Sequence, residues 1–296
     1  MDNITIERPD AMFSTLVPKF SIYRFNHKNF RYYFNLIADT VKFYPSVTSI
    51  LNKVMPTSYA QLSIISDKGL DGYYKFMNER ALYGTILHKC FANFLLDGTL
   101  NRQTIGALLF EEDLTNYPNS KYWINDLIKD MSCLAQFAYE HEIEPLAIEV
   151  PVIYENDNSP YACAIDLICK MKFNRKIITA LMDLKSGKNG FYDSHELQLH
   201  LYKQAAEQYF NITIDNVFNL APVDYSKNTA NYKLVNQTDS KFANVINNYL
   251  DIYYQIYHTE PEKFIELDDF TIGQEPIVRY IEPIQYILKY MKKVAA

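Results

Sequence analysis

The chain has 296 residues, 48% of them hydrophobic and 22% charged, which excludes a disordered or fibrous polypeptide and leaves room for one large domain or two small ones. Its formal charge of −6 excludes a surface that is basic throughout, so a polyanion would have to meet a local positive groove. The four cysteines form no CxxC pair, no apolar run reaches membrane-spanning length, and residues 1–13 lack the build of a signal peptide, so a reduced cytoplasmic protein with buried free thiols is expected.

The first 40 residues are aromatic and mixed and give no clear element. Residues 41–54 (VKFYPSVTSILNKV) read as a lead-in and a helix capped near Ser46 or Thr48. Residues 78–97 predict a helix from Leu82, Ile86, Phe91, Phe94 and Leu95, stopped by Gly98. A second helix follows over 121–141. The pattern then changes to β-branched and aromatic runs at 146–154 (LAIEVPVIY), 161–171 and 176–185. Asn158-Ser159-Pro160 and Phe173-Asn174-Arg175 separate these runs and are short enough for hairpins. A helix over 195–210, strands at 217–222 and 232–235, and helices at 241–258 and 283–294 complete the chain. The expected class is α/β: a central mixed β-sheet flanked by helices, with a helical N-terminal lobe over 1–143 and a core over 144–296 forming one integrated unit.

Asp183-Leu184-Lys185 ends an apolar strand, where alternation puts Asp183 and Lys185 on one face and Leu184 on the other. Alone, this tripeptide reads as an exposed, salt-bridged strand end. Asp166 changes that reading, because it is a lone acid inside the apolar run 162–169 and antiparallel pairing would bring it beside Asp183. Two close carboxylates repel unless a cation sits between them, and with a backbone carbonyl they form an oxygen-rich site suited to Mg2+ or Mn2+. Lys185 beside such a site could orient a water or stabilise charge on a phosphate. Glu149 reads either as a third acid or as an edge-strand residue facing water. His88 alone reads as an ordinary helix histidine. Gln198 and Tyr202 share a helix face, within reach of a nucleotide or of Lys185 itself.

In order, Gly84…His88, Glu149, Asp166, Asp183-x-Lys185 and Gln198-x-x-x-Tyr202 resemble the RecB-like branch of the PD-(D/E)XK nuclease superfamily, and residues 47–51 (VTSIL) look like the lead-in of phage exonucleases of this type. The resemblance covers about residues 44–210. It implies a restriction-endonuclease-like core, with His88, Asp166 and Asp183 binding metal, the Leu184 carbonyl as a further ligand, and Lys185 as the catalytic lysine. Glu149 matches an acid one strand earlier, acting through metal-bound water. Gln198 and Tyr202 would hold DNA and steady the site. The implied function is a Mg2+- or Mn2+-dependent deoxyribonuclease, an exonuclease at DNA ends in replication, recombination or repair. The implied setting is a host cytoplasm if the chain is phage-encoded, with a homo-oligomer or a replication or recombination partner open. The alternatives are a structure-selective flap or branch endonuclease and an inactive DNA-binding or assembly module. Two departures stand out: no glycine occurs in 161–165, and no cysteine lies beyond 169, so no iron–sulfur cluster is expected.

Three look-alikes fail. The His195–His200 spacing is five, not the four that a zinc-protease helix needs. Residues 185–190 carry no GxxxxGK[ST] and read as a loop after the strand, in which Lys188 is a candidate phosphate contact. The basic stretch at 289–293 reads as a solvated helix face, with contact to a DNA backbone as the other reading.

Overall fold

The computed structural model describes residues 5–28, 30–37, 40–112, 114–115, 117–187, 191–226, 229–267 and 278–295. The chain opens with strands β1 (Ile6–Glu7), β2 (Phe13–Ser14), β3 (Ile22–His27), β4 (Phe30–Ile37) and β5 (Thr40–Pro45). Four of them form an antiparallel sheet of order β1-β3-β4-β5. Cross-strand aromatic pairs hold it together: Tyr23 stacks on Phe34 and Phe25 on Tyr32, at 5.2 and 5.5 Å between ring centres. The expected helical N-terminal lobe therefore opens with a sheet, over residues that gave no clear element in sequence, and its helices begin at Val47. Aromatic side chains on alternate residues favour a pleated surface, and this region starts as sheet.

Four α-helices follow this sheet. Ser46 caps α1 (Val47–Val54), its hydroxyl accepting from the Ser49 amide. The capping role falls to Ser46 rather than Thr48. Helix α2 (Tyr59–Asp97) starts at a capping box between Ser58 and Gln61 and bends at Gly69, where φ is 69°. It begins well before the predicted residue 78, because its buried residues start only at Tyr83 and the earlier turns carry no core-facing stripe to read. Gly98 ends it in a left-handed conformation. Helix α3 (Arg102–Phe110) then leads to α4 (Trp123–Glu140).

The central sheet comes next. Strands β6 (Glu144–Tyr154), β7 (Tyr161–Phe173) and β8 (Lys176–Leu184) form an antiparallel meander, and its second turn places Asn174 and Arg175 at φ 50° and 65°, as a tight hairpin demands. Helix α5 (Asp193–Phe210) crosses over to β9 (Asn216–Ser226), which runs parallel to β8 and turns back into β10 (Thr229–Asn236). With β2 on its far edge, the six-stranded mixed sheet has the order β10-β9-β8-β7-β6-β2. Leu181 and Val217 face a core shared with α1 and α5, while Met182 and Phe218 face one shared with α2, α3 and α4.

Helix α6 (Ile246–Ile252) passes into a π-helical turn, Tyr253–Tyr257, so the helix predicted over 241–258 is shorter at its start and irregular at its end. Strands β11 (Phe264–Leu267) and β12 (Val278–Ile281) and helix α7 (Pro283–Ala295) close the chain. Phe264 and Ile287 join Phe25, Tyr32 and Phe34 in a third core. Packing crosses 143/144 in all three cores. The last elements return to the first sheet, and β2 joins the central one. Among the described residues no helix is long and apolar enough to cross a membrane, and all four cysteines are buried free thiols.

Candidate active site

Three chain segments that are distant in sequence meet beneath α2. His88 Nδ1 lies 3.1 Å from Glu149 Oε1 and 3.6 Å from Asp166 Oδ1. One ligand atom from each of these residues falls within 4.8 Å of the others, the spacing a shared ion requires. His88 Nε2 lies 3.0 Å from the Leu184 carbonyl, and the Leu184 amide donates to Asp166 Oδ2 at 2.7 Å. The backbone of one residue thus ties together the helix histidine and the strand acid.

A local backbone irregularity aims both acids at His88. In a regular strand adjacent side chains point to opposite faces. Here Ile148 and Glu149 both line the same cavity, and so do Asp166 and Leu167. The register pairs Ile148 with Leu167 and Val150 with Ile165, so Glu149 and Asp166 stand across from each other at the point where alternation breaks. Glu149 makes the break with φ at 50°, a left-handed conformation that costs a non-glycine residue about 1–3 kcal/mol. The structure thereby settles the two readings of Glu149: it faces His88 rather than open water.

This strain gives a test. Glu149→Gly removes both the left-handed cost and a carboxylate facing Asp166, against a flexibility penalty of about 0.5–1 kcal/mol. The expected result is a melting temperature equal to or above that of the parent, with Mn2+ affinity reduced about 10- to 100-fold by calorimetry. A clear fall in melting temperature would assign Glu149 to the fold instead.

The electrostatics match a site short of positive charge. Burial lowers the basicity of His88, but Asp166, Glu149 and Asp183 overcome it and push the imidazole up to about 9. Burial first, then the Glu149 and Asp183 charges, push Asp166 up to about 7 against the opposing pull of His88 and Lys185. Two carboxylates, a carbonyl and an imidazole are a donor set suited to Mg2+ or, with its tolerance of nitrogen, Mn2+. The cavity they line with Phe91 and Leu184 is about 10 Å3, room for one water or small ion.

A second cluster adjoins the first on the α5 side of β8. The Asp183 carboxylate is 1% exposed as a residue and is saturated by donors. Its Oδ1 accepts from Lys185 Nζ at 2.9 Å and Gln198 Nε2 at 3.0 Å, and its Oδ2 from Lys185 Nζ at 2.8 Å and Asn219 Nδ2 at 3.0 Å. Asp183 therefore lies outside the three-residue group of His88, Glu149 and Asp166. A strand-end acid on the Leu181 face looks toward α5, away from the cavity under α2. Gln198 also accepts from Lys185 at 3.3 Å and donates to the Tyr202 hydroxyl at 2.6 Å.

Gln198 and Tyr202 are 8% and 4% exposed, and their hydrogen bonds steady Asp183 and Lys185. Lys188 lies outside the described residues.

No protein-family model matches this chain, and no curated protein does.

Two further residues belong to the site and carry readable signals. Asn219 is a polar side chain inside the apolar run 217–221, the same anomaly that singles out Asp166. Gly84, one turn before His88, lets α2 approach the loop after β8: a methyl group there would stand 3.2 Å from Ser186 Oγ. The two histidines of 195–200 take separate partners, His195 accepting from the Tyr192 amide and His200 pairing with Ser240 Oγ, as their spacing predicts.

Proposed function

We propose that the chain is a Mg2+- or Mn2+-dependent nuclease that hydrolyses DNA phosphodiester bonds, built on a restriction-endonuclease-like core of the RecB-like branch of the PD-(D/E)XK superfamily. The observation that carries this reading is the convergence of His88, Glu149 and Asp166 within ion-binding distance, next to a lysine held by a buried acid. The six-stranded mixed sheet with helices on both faces is compatible with such a core.

His88, Glu149, Asp166 and the Leu184 carbonyl would hold the cation. When bound, it supplies Lewis-acid polarisation of a phosphate and lowers the pKa of a water. The chain's own groups do the rest. Asp183 and Gln198 hold the Lys185 ammonium at the strand end, 23% exposed, where it can bond a phosphate oxygen as negative charge builds there. The apolar walls made by Phe91, Leu95 and Leu220 keep bulk water from competing for the carboxylates. A net charge of −6 fits a protein that engages its polyanion at one cleft rather than over its surface. We further propose an exonuclease acting on DNA ends in the cytoplasm, in replication, recombination or repair.

Digestion of end-labelled single- and double-stranded DNA tests the reading. Cleavage is expected in Mg2+ or Mn2+, with none in a chelator, and binding without efficient cutting in Ca2+, whose looser coordination places a water poorly. A circular single-stranded substrate should survive; its cleavage would move the assignment to an endonuclease. DNA binding with no cutting in either metal would replace the enzyme with a binding module.

A further inference from the structure

Asn219 is completely buried in β9, directly across the parallel register from Asp183. Its Nδ2 donates to Asp183 Oδ2 at 3.0 Å, while its Oδ1 is buried with no hydrogen-bond partner among the described residues. Turning the amide over does not help, because that would set oxygen against the carboxylate and lose the one bond the side chain makes. A buried polar atom left unpaired works against folding and calls for an explanation. Asn219 lies on the Val217 face of β9, and its strand neighbours on that face, Val217 and Ala221, are apolar and buried.

The explanation lies in what Asp183 has to do. Gln198 reaches only its Oδ1, and Lys185 spans both oxygens. Without Asn219, Oδ2 would keep only the lysine, and the carboxylate could rotate with it. We propose that Asn219 is a positioning residue, held in place at a cost to stability, that locks the plane of the Asp183 carboxylate and so fixes the Lys185 ammonium bonded to both of its oxygens. The catalytic consequence rests on the nuclease reading; the pairing of Asn219 with Asp183 does not.

The test uses Asn219→Leu, with Asn219→Ala as a smaller replacement, in the full chain. On DNA with Mn2+, kcat should fall about 10- to 100-fold, the usual loss when a supporting partner is removed, with KM and Mn2+ affinity unchanged. Melting temperatures are then compared in two backgrounds. In Asp183→Ala protein, where the amide has lost its one partner, Asn219→Leu should raise the melting temperature. A fall of melting temperature in both backgrounds together with an unaltered kcat would make Asn219 a strand-holding residue and overturn the proposal. If the parent protein cuts no DNA, the nuclease reading fails, and the paired melts still decide whether Asn219 serves Asp183.

Discussion

Lys185→Met is expected to lower kcat about 100- to 1,000-fold, the range seen when one donor to transition-state charge is removed. The side chain touches none of the groups proposed to hold metal; its partners are Asp183 and Gln198. Mn2+ binding should therefore survive, and calorimetry on the variant separates loss of chemistry from loss of the ion. Folding will also be perturbed, because Asp183 loses its ammonium while keeping Gln198 and Asn219 as donors. Partial compensation puts the cost at about 1–3 kcal/mol, below that of a wholly orphaned buried charge. Urea denaturation measures it. A variant that cuts at the parent rate, or one whose inactivity is matched by unfolding, would remove Lys185 from the proposed chemistry.

The parts of this site that sequence exposes are those where composition conflicts with position. Asp166 is an acid in a run that alternation would fill with apolar residues, and Asp183-x-Lys185 puts opposite charges on one face of a strand end. Asp166 takes its place with His88 and Glu149, and Asp183 and Lys185 bond each other in the adjoining cluster. Asn219 is the same kind of anomaly in the run 217–221 and could have been read by the same rule. The aim of Glu149 could not. Its direction depends on a single left-handed φ of 50°, which no hydrophobic pattern encodes. The strict alternation used to read strands even argues against Ile148 and Glu149 sharing a side, yet both line the cavity.

The central strands and α5 were legible because they are buried on a face that repeats with a clear period. The N-terminal sheet was not, although its alternating tyrosines and phenylalanines favour strand, because the core that buries them is completed only by Phe264 and Ile287 some 240 residues later. The first turns of α2 bury nothing, so their helicity rests on a capping box and local propensity alone. The make-up of each core was hidden for a related reason. Sequence shows where elements end but not which distant elements share a core.

Mn2+ binding is expected to release protons and to weaken steeply as pH falls, and this follows from how the metal-free site is held. His88 has an acceptor on each side of its ring, Glu149 Oε1 and the Leu184 carbonyl, and that arrangement suits an imidazolium donating from both nitrogens. With its basicity raised to about 9, the ring carries its second proton at neutral pH, and Asp166, raised to about 7, is partly protonated. A metal needs both groups in their proton-free forms. Both shifts are upward, so the competing protons are bound below each value and absent above it. Between pH 9 and 7 the dissociation constant should loosen about tenfold per unit, one proton leaving per ion, and below pH 7 by up to about a hundredfold per unit as Asp166 adds a second. Titration calorimetry in two buffers of different ionisation enthalpy counts these protons directly, about one per ion at pH 8 and about two at pH 6. Affinity that is flat from pH 6 to 9 would mean that the ion bypasses His88 and Asp166, and a reaction assigned to this cluster would lose its centre.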